Sequence, residues 1–288
     1  MTPQARPLAA RFPLAPAPAI TAGLAFLVLF WQPIWTLGRD WWSDPDAGHG
    51  LLLAPLAVYL AWRRGRAPGA ESQPALGLAI LAAAVALRYL SGLAAEMFTM
   101  RLSLLAGVAG LIVFGWGMRQ MLHWWLPSLL VLLSVPIPSV VLNSLAFPLQ
   151  LKASEMGAAL LRWRNVPIRL AGNVLMLPGQ SLFVTEACSG LRSLTALLSL
   201  GVLVGGLWLR TLWSRLVLVA VAIPIAMVLN GLRVFLTGFF VYYVDPGLGE
   251  GVMHYTEGWF MFMIAFATLG VVGWILGLLE RIGSATPA

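Results

Sequence analysis

Residues Leu216–Val244 read LVLVAVAIPIAMVLNGLRVFLTGFFVYYV, and this stretch decides the fold class because its only charged side chain is that of Arg233. A helix needs about 20 mostly apolar residues to cross the hydrocarbon of a bilayer. The stretch therefore predicts a transmembrane helix that is long enough to project beyond the membrane. An ionised side chain within such a helix is costly, which makes Arg233 a candidate functional residue. A buried arginine satisfied by backbone carbonyls is the structural alternative.

The composition of the whole chain points the same way. Of the 288 residues, 60% are hydrophobic and only 10% are charged, whereas a soluble domain carries about 25% charged residues. These values exclude a cytosolic enzyme, a nucleic-acid-binding protein and a disordered tail. The net charge of +7 comes from scattered arginines and not from a basic run, so we expect no nucleic-acid partner. A single cysteine excludes an intramolecular disulfide and a cysteine-cluster metal site, and we expect neither a metal nor a cofactor.

The apolar segments predict an all-α integral membrane protein with about eight transmembrane helices and a partly structured outer loop. The predicted spans are Ile20–Leu37, Ala47–Trp62, Pro74–Gly92, Leu102–Gly117, Leu126–Ala146, Cys188–Trp208, Leu216–Val244 and Gly258–Leu279. We expect residues 1–19 to form a cytoplasmic tail and residues 20–288 to form a single membrane domain. Within that domain, residues 147–187 are the outer interfacial segment and residues 188–279 hold the candidate catalytic helices. The pairs Gly201/Gly205 and Gly273/Gly277 have the small-xxx-small spacing that favours close helix packing.

The outer segment predicts two kinds of local structure. Residues 149–163 have the pattern of an amphipathic helix lying at the membrane interface. We expect Leu151, Met156, Leu160 and Leu161 to face lipid, and Lys152, Glu155, Arg162 and Arg164 to face water. Three short strands are expected after it, at Val166–Leu170, Asn173–Leu177 and Ser181–Thr185, with turns at Ala171-Gly172 and Pro178-Gly179-Gln180. An irregular interfacial loop is the alternative.

The basic residues predict the orientation of the chain in the membrane. Nine basic and two acidic residues fall on one side of the predicted spans, and seven basic and nine acidic residues fall on the other. The more basic side is expected to be cytoplasmic, which places both termini inside. The nine are Arg6, Arg11, Arg63, Arg64, Arg66, Arg119, Arg210, Arg215 and Arg281.

Two further residues near the outer ends of spans could carry chemistry. Cys188, the only thiol, is expected in the first turn of the sixth span, where free backbone N–H groups favour the thiolate form. A packing role is the alternative. His254 lies in the predicted outer loop Asp245–Glu257, and a histidine can serve a thiol nucleophile as its base. Counted at 1.5 Å per residue from the cytoplasmic side, Cys188 and Arg233 differ in depth by only about 6 Å. The three residues could therefore meet in the outer leaflet.

The ordered motifs resemble those of the exosortase/archaeosortase family of membrane transpeptidases. They are EACSGLRS at 186–193, NGLR at 230–233, His254 followed by Gly258-Trp259, and His49-Gly50 upstream. The resemblance runs from about Trp31 to Trp274, and one departure is Gly48, where the family commonly has Ser. It implies that Cys188 is the nucleophile, His254 the acid/base and Arg233 the cation that binds substrate or transition state. Glu186, Ser189, Asn230 and His49 are expected to support the site or bind substrate, although His49 could also be a simple polar loop residue.

The resemblance also implies what the protein acts on. Exosortases are thought to process membrane-anchored proteins whose C-terminus carries a Pro-Glu-Pro motif, one transmembrane helix and a basic tail. They occur in the inner membrane of Gram-negative bacteria that make exopolysaccharide, and their active site is expected to face the periplasm. A non-enzymatic transporter or a polysaccharide-export assembly subunit is the alternative, but a transporter should show paired repeats and mid-membrane polar residues. The sequence has neither beyond Arg233. A lipid-directed acyltransferase using the same cysteine is a third hypothesis.

Overall fold

The computed structural model of the chain describes residues 16–184, 191–249 and 251–285, and these residues are mostly helical. The helices are α1 (Pro16–Leu29), α2 (Trp31–Ser43), α3 (Gly50–Arg64), α4 (Pro74–Leu93), α5 (Met97–His123), α6 (Trp125–Leu133), α7 (Ser139–Trp163), α8 (Leu191–Trp208), α9 (Leu212–Tyr243) and α10 (Gly251–Ala285). The strands are β1 (Arg169–Ala171), β2 (Val174–Leu177) and β3 (Gln180–Phe183).

Four helices of the described chain are long and apolar enough to cross a membrane, so the prediction of eight spans is not confirmed. They are Pro74–Leu93, Met97–His123, Leu212–Tyr243 and Thr256–Gly283. Helices α1 and α2 meet at an angle of 61° and would make a fifth span if the bent pair crosses together. The architecture is that of an all-α membrane protein with a small sheet.

The other predicted spans are shorter or broken. The second contains Pro55 and forms the 15-residue helix α3. The fifth is interrupted, because α6 ends at Leu133 and α7 begins only after Pro136 and Pro138. Proline lacks a backbone N–H and clashes with the preceding helical turn, which explains the break. The sixth is α8, whose apolar part is Leu194–Trp208.

Helix α7 differs from the predicted interfacial helix in what covers its apolar face. The four charged residues expected to face water are exposed, as predicted. Leu161, however, is fully buried against Gly238 of α9, and a Cβ at Gly157 would lie only 2.5 Å from the Val234 side chain. The expectation that Leu161 faces lipid is therefore wrong. Small residues let α7 approach α9 closely, so the apolar stripe is buried within the protein.

The three strands after α7 form an antiparallel meander in the order β1-β2-β3, which confirms the predicted strands with shifted boundaries. Leu170 pairs with Leu175, and Leu175 pairs with Leu182. The turns lie within one residue of the expected positions, at 172–173 and 178–179, and Gly172 and Gly179 adopt the positive φ values that glycine tolerates best. The inner face of the sheet packs on α7 and α9.

Helices α4 and α5 form a tight hairpin. A Cβ at Gly77 of α4 would lie 2.4 Å from the backbone nitrogen of Phe114 on α5, so the backbones of the two helices approach each other closely there. Glu96 caps the start of α5, accepting hydrogen bonds from the backbone N–H groups of Phe98 and Thr99 and from the Thr99 hydroxyl. These hydrogen bonds hold the pKa of Glu96 below its usual range.

Helices α8, α9 and α10 pack together around one core that includes Leu197, Leu218 and Leu269, all fully buried. The predicted glycine pairs lie in this interface. A Cβ at Gly201 would contact Val219 of α9 at 3.5 Å, and one at Gly273 would contact Val204 of α8 at 3.2 Å. The small-residue spacing therefore marks real helix contacts. Helix α8 also contacts α6, which joins this bundle to the preceding part of the chain.

Candidate active site

Three polar residues share one face of α9. Asn230, Arg233 and Thr237 are separated by three and four positions, a spacing that aligns side chains along a helix. Asn230 and Thr237 are buried, and Arg233 is partly buried. Among the residues that the structure describes, the Asn230 amide nitrogen has no hydrogen-bond partner. A buried donor of this kind is costly to leave unsatisfied, so Asn230 is ready to bind another polar group.

A buried acid on α10 faces this polar row. The Glu257 side chain is buried, and its Oε2 accepts a hydrogen bond of 2.8 Å from the Thr237 hydroxyl. The same hydroxyl lies 3.0 Å from the backbone carbonyl oxygen of Arg233. Arg233, Thr237 and Glu257 therefore form one polar cluster between α9 and α10. Within the described residues, the second carboxyl oxygen, Oε1, has no hydrogen-bond partner.

The residue after Glu257 leaves room for the arginine. A Cβ at Gly258 would lie 3.1 Å from Cζ of Arg233 and 3.1–3.2 Å from its two terminal nitrogens. Most Cβ contacts are longer than this, so a side chain at position 258 would press on the guanidinium. The glycine of the Gly258-Trp259 motif thus has a structural reason: it allows the guanidinium to lie against the α10 backbone.

His49 is fixed at the start of α3. Its Nε2 lies 3.1 Å from the backbone carbonyl oxygen of Leu133, at the end of α6. The neighbouring Gly50 packs under the Trp41 indole, where a Cβ would lie 2.2 Å from Nε1, and that Nε1 donates a 2.7 Å hydrogen bond to the Ser134 carbonyl. The His49-Gly50 motif is therefore the point at which α2, α3 and α6 meet.

A cavity of about 100 Å³ lies beside His49. It is lined by the 44–49 loop, the 133–137 segment after α6, and Thr195, Leu198 and Ser199 of α8. The structure thus places His49 next to the helix that follows the predicted nucleophile. Helix α8 also contacts α9 and α10, the two helices that carry the Arg233 cluster.

The predicted nucleophile and its neighbours lie outside the described residues. These are Glu186, Cys188 and Ser189; the described part of α8 begins at Leu191. Their roles stay predictions. His254 was expected in a loop, and that expectation is wrong: it lies in the first turn of α10, which begins at Gly251. Pro246, Gly247 and Gly249 precede this helix, and no proline follows them that would keep the chain from turning helical.

Arg88, which lies within the predicted span Pro74–Gly92, has an ordinary structural role. Arg88 donates a 2.9 Å hydrogen bond from a terminal nitrogen to the Gln32 side chain of α2. Arg101 of α5 is buried and forms an ion pair of 2.5 Å with Asp40 of α2. These contacts join neighbouring helices. In the residues that the structure describes, no three His, Cys, Asp or Glu side chains are grouped as metal ligands would be.

Apolar helices and a polar cluster buried between two of them define a multi-pass membrane protein with a candidate reaction site. The chain belongs to the transmembrane exosortase family, because the model of that family matches residues 41–271, which is most of the chain. The matched region contains every residue of the Arg233 cluster and the His49 cavity. No curated protein and no solved structure matches the chain.

Two residues of the cluster were not singled out by the sequence. Thr237 is an ordinary residue of an apolar helix until its partner on α10 is known. Glu257 was assigned to the outer loop, whereas it lies at the start of the candidate span Thr256–Gly283. An acid at the start of an apolar span is itself a functional signal. An earlier boundary for the last span, set directly after Gly249, would have revealed it.

Proposed function

We propose that this exosortase is a membrane-embedded cysteine peptidase or transpeptidase that cleaves C-terminal sorting signals of the Pro-Glu-Pro type on the periplasmic side of the inner membrane. Its substrates are membrane-anchored proteins, and the cleavage is coupled to their export and to exopolysaccharide-associated sorting. The observation that supports this function is the Arg233 cluster. In it the Arg233 guanidinium lies against Gly258, one helical turn after His254 on α10, and α8, which follows Cys188 in the chain, contacts both α9 and α10.

The reaction has two covalent steps. The Cys188 thiolate attacks the carbonyl carbon of the scissile peptide, and a thioester forms as the C–N bond breaks. His254 donates the proton that the leaving amine needs. An acceptor, either water or an amine, then attacks the thioester and releases the thiolate, with His254 taking its proton. A cysteine mechanism of this kind needs no metal or cofactor.

Arg233 stabilises the negative charge that develops on the carbonyl oxygen in both steps. A preorganised cation in a site of low dielectric is worth more than the same charge in water. The planar guanidinium can also pair two oxygens at once, which suits a substrate carboxylate. Asn230, one turn before Arg233, presents its buried amide donor to the same region and is proposed to bind a carbonyl of the substrate.

The remaining predicted residues have supporting roles in this proposal. Glu186 and Ser189 flank Cys188 and are proposed to shape its surroundings. His49 is proposed to line the part of the substrate-binding site formed by the cavity beside α8. Its hydrogen bond to the Leu133 carbonyl fixes the ring, as a binding residue requires.

The decisive experiment is replacement of the single thiol. Cys188→Ala and Cys188→Ser are compared with the unchanged enzyme in cells that express a tagged substrate with a Pro-Glu-Pro C-terminal signal, and the substrate is followed by its size. Processing should stop in both variants, because no other thiol can form the thioester. Normal processing by Cys188→Ala would contradict the cysteine mechanism. It would favour a non-enzymatic role of this protein in export.

A further inference from the structure

We propose that Glu257, Thr237 and Gly258 position the guanidinium of Arg233, and that Glu257 is the principal positioning residue. This inference rests on the proposed function, because it assigns the groups that hold the catalytic cation of that site. It adds a buried acid to a site so far described by a cysteine, a histidine and an arginine.

The first argument is burial of opposite charges. Only 7% of Glu257 is exposed, and the adjacent residue Gly258 lies against the Arg233 guanidinium. A buried carboxylate needs an opposite charge or hydrogen bonds to offset its lost hydration. Attraction between opposite charges acts on both groups. Glu257 is therefore proposed to favour one position of the guanidinium over others.

The second argument is the hydroxyl of Thr237. It lies within hydrogen-bond distance of both the Arg233 carbonyl oxygen and Glu257 Oε2. A hydroxyl carries one proton and can donate to only one of the two oxygens at a time. Thr237 therefore holds Glu257 against the turn of α9 from which the Arg233 side chain extends, and fixes the spacing of the two helices at this level.

The third argument is the close contact at Gly258. The guanidinium lies where the side chain of any other residue would begin, at 3.1–3.2 Å from the ideal Cβ position. Glu257 attracts the arginine, and its neighbour Gly258 sets how closely the guanidinium can approach the α10 backbone. Glu257 therefore supplies the negative charge near the guanidinium, and Gly258 sets the distance between the guanidinium and the α10 backbone.

The first test measures the rate of substrate processing per folded enzyme, with folded yield taken from size-exclusion chromatography. Glu257→Gln keeps the shape of the side chain but removes its charge, and it should slow processing by up to about a hundredfold, as expected when a catalytic group is displaced by about 1 Å. Its matched control is Glu280→Gln at the far end of α10, where the carboxyl accepts hydrogen bonds from Arg210 and Thr211. That control should change yield only. A normal rate for Glu257→Gln overturns the proposal.

The second test removes the hydroxyl of Thr237 and, in separate variants, the space at Gly258. Thr237→Val should slow processing and Thr237→Ser should restore it, whereas Thr268→Val, which removes an exposed hydroxyl bonded to its own helix, should not affect the rate. Gly258→Ala should slow processing several-fold because its new methyl group pushes the guanidinium. Gly270→Ala has open space around its Cβ and is the control. Equal rates for Thr237→Val and Thr237→Ser contradict the role of the hydroxyl.

A double-mutant cycle shows whether Glu257 acts through Arg233. In a chain that already carries Arg233→Lys, adding Glu257→Gln should cost little further rate, because the geometry that Glu257 maintains is already lost. If the two losses multiply instead, Glu257 acts independently and is not a positioning residue for Arg233.

A cycle on thermal unfolding in detergent separates this inference from the proposed function, because it needs no substrate. Arg233→Gln and Glu257→Gln together should lower the midpoint by less than the sum of their separate effects, since either change alone leaves one buried charge without its counter-charge. Strictly additive shifts overturn the pairing. If the shifts are not additive and Cys188→Ala still processes substrate, the proposed function fails while the energetic coupling of Arg233 and Glu257 stands.

Discussion

Arg233 is the only charged side chain of α9 after Arg215, and its surroundings explain how the helix tolerates it. The guanidinium lies against the α10 backbone at Gly258, and the neighbouring Glu257 is buried. Placing a cation there costs folding free energy, whereas a leucine at the same position would not. A functional site that uses the positive charge of Arg233 would explain why this position holds an arginine.

The first prediction at this scale is that Arg233→Lys keeps the protein folded but lowers its processing rate roughly a hundredfold. Lysine retains the charge and loses the planar fork that pairs two oxygens. The measurement is processing rate per folded enzyme beside folded yield. A normal rate with a poor yield would make Arg233 a structural residue, and the backbone N–H groups at the start of the sixth predicted span would remain as oxyanion donors.

The second prediction compares two histidines with the same backbone contact. His49 Nε2 hydrogen-bonds the Leu133 carbonyl, and His123 Nε2 hydrogen-bonds the Arg64 carbonyl. Only His49 lines the cavity beside α8. His49→Ala should therefore lower the processing rate per folded enzyme, and His123→Ala should lower folded yield alone. Similar effects of the two variants on rate would place His49 outside the site.

At the scale of secondary-structure elements, the hairpin of α4 and α5 depends on a glycine that lets two helices touch. A Cβ at Gly77 would lie 2.4–2.6 Å from backbone and side-chain atoms of Phe114, so one of the helices has to move. Gly115 lies one residue after Phe114 and has no atom within 4 Å of its Cβ position. The two glycines thus differ in packing although they belong to the same helix pair.

The third prediction follows from that difference. Gly77→Ala should destabilise the protein by about 1–3 kcal/mol through overpacking. Gly115→Ala should be neutral or slightly stabilising, because alanine favours the helix and meets no neighbour. Thermal unfolding in detergent measures both. A Gly77→Ala protein as stable as the unchanged one would show that α4 and α5 are not packed as closely as described.

The fourth prediction concerns the cap of α5. The hydrogen bonds that Glu96 accepts lower its pKa in the folded state, so the ionised cap stabilises the fold at neutral pH and this stabilisation is lost as pH falls through the lowered pKa. Glu96→Ala should lower stability at pH 7 by about 1 kcal/mol, as the loss of a helix cap usually does. The difference from the unchanged protein should shrink at pH values below the lowered pKa. A difference independent of pH would assign it to packing.

At the scale of the whole molecule, the long helices could be predicted from sequence and the broken ones could not. Hydropathy identified α4, α5, α9 and α10 because each is apolar over at least 18 residues. It joined α6 to α7 because the apolar character continues through Pro136 and Pro138. Hydropathy measures only the cost of leaving water, whereas the break depends on the backbone N–H groups that proline lacks.

The candidate site was predictable to a similar degree. Motif residues such as Asn230 and Arg233 stand out because polar groups are rare in apolar helices. Their partners Thr237 and Glu257 did not stand out, because they are recognised only by the contact between α9 and α10. Pairing across helices depends on rotation and depth, which a single sequence does not encode in any local pattern. The apolar face of α7 was assigned to lipid for the same reason.

The fifth prediction is the orientation of the bundle. Cys188 should react with a membrane-impermeant thiol reagent added from the periplasmic side, because the distribution of basic residues predicts that side for the candidate site. In a chain with Cys188→Ala, a cysteine introduced at Arg64 or Arg210 should react only after the membrane is opened. Reaction of Cys188 from the cytoplasm alone would reverse the orientation and contradict periplasmic cleavage.

The contact between Arg233 and Gly258 also has a consequence for the order in which the candidate site assembles during synthesis. The ribosome makes α9 before α10, and at usual elongation speeds Arg233 is synthesised roughly one to five seconds before Gly258. Until α10 has inserted beside α9, neither Glu257 nor Gly258 lies near Arg233. His254, in the first turn of α10, has not yet joined the bundle. On the proposed function, a nascent or prematurely terminated chain therefore holds Cys188 without the groups that are proposed to activate it. The order of synthesis would then delay the proposed activity until α10 has packed beside α9.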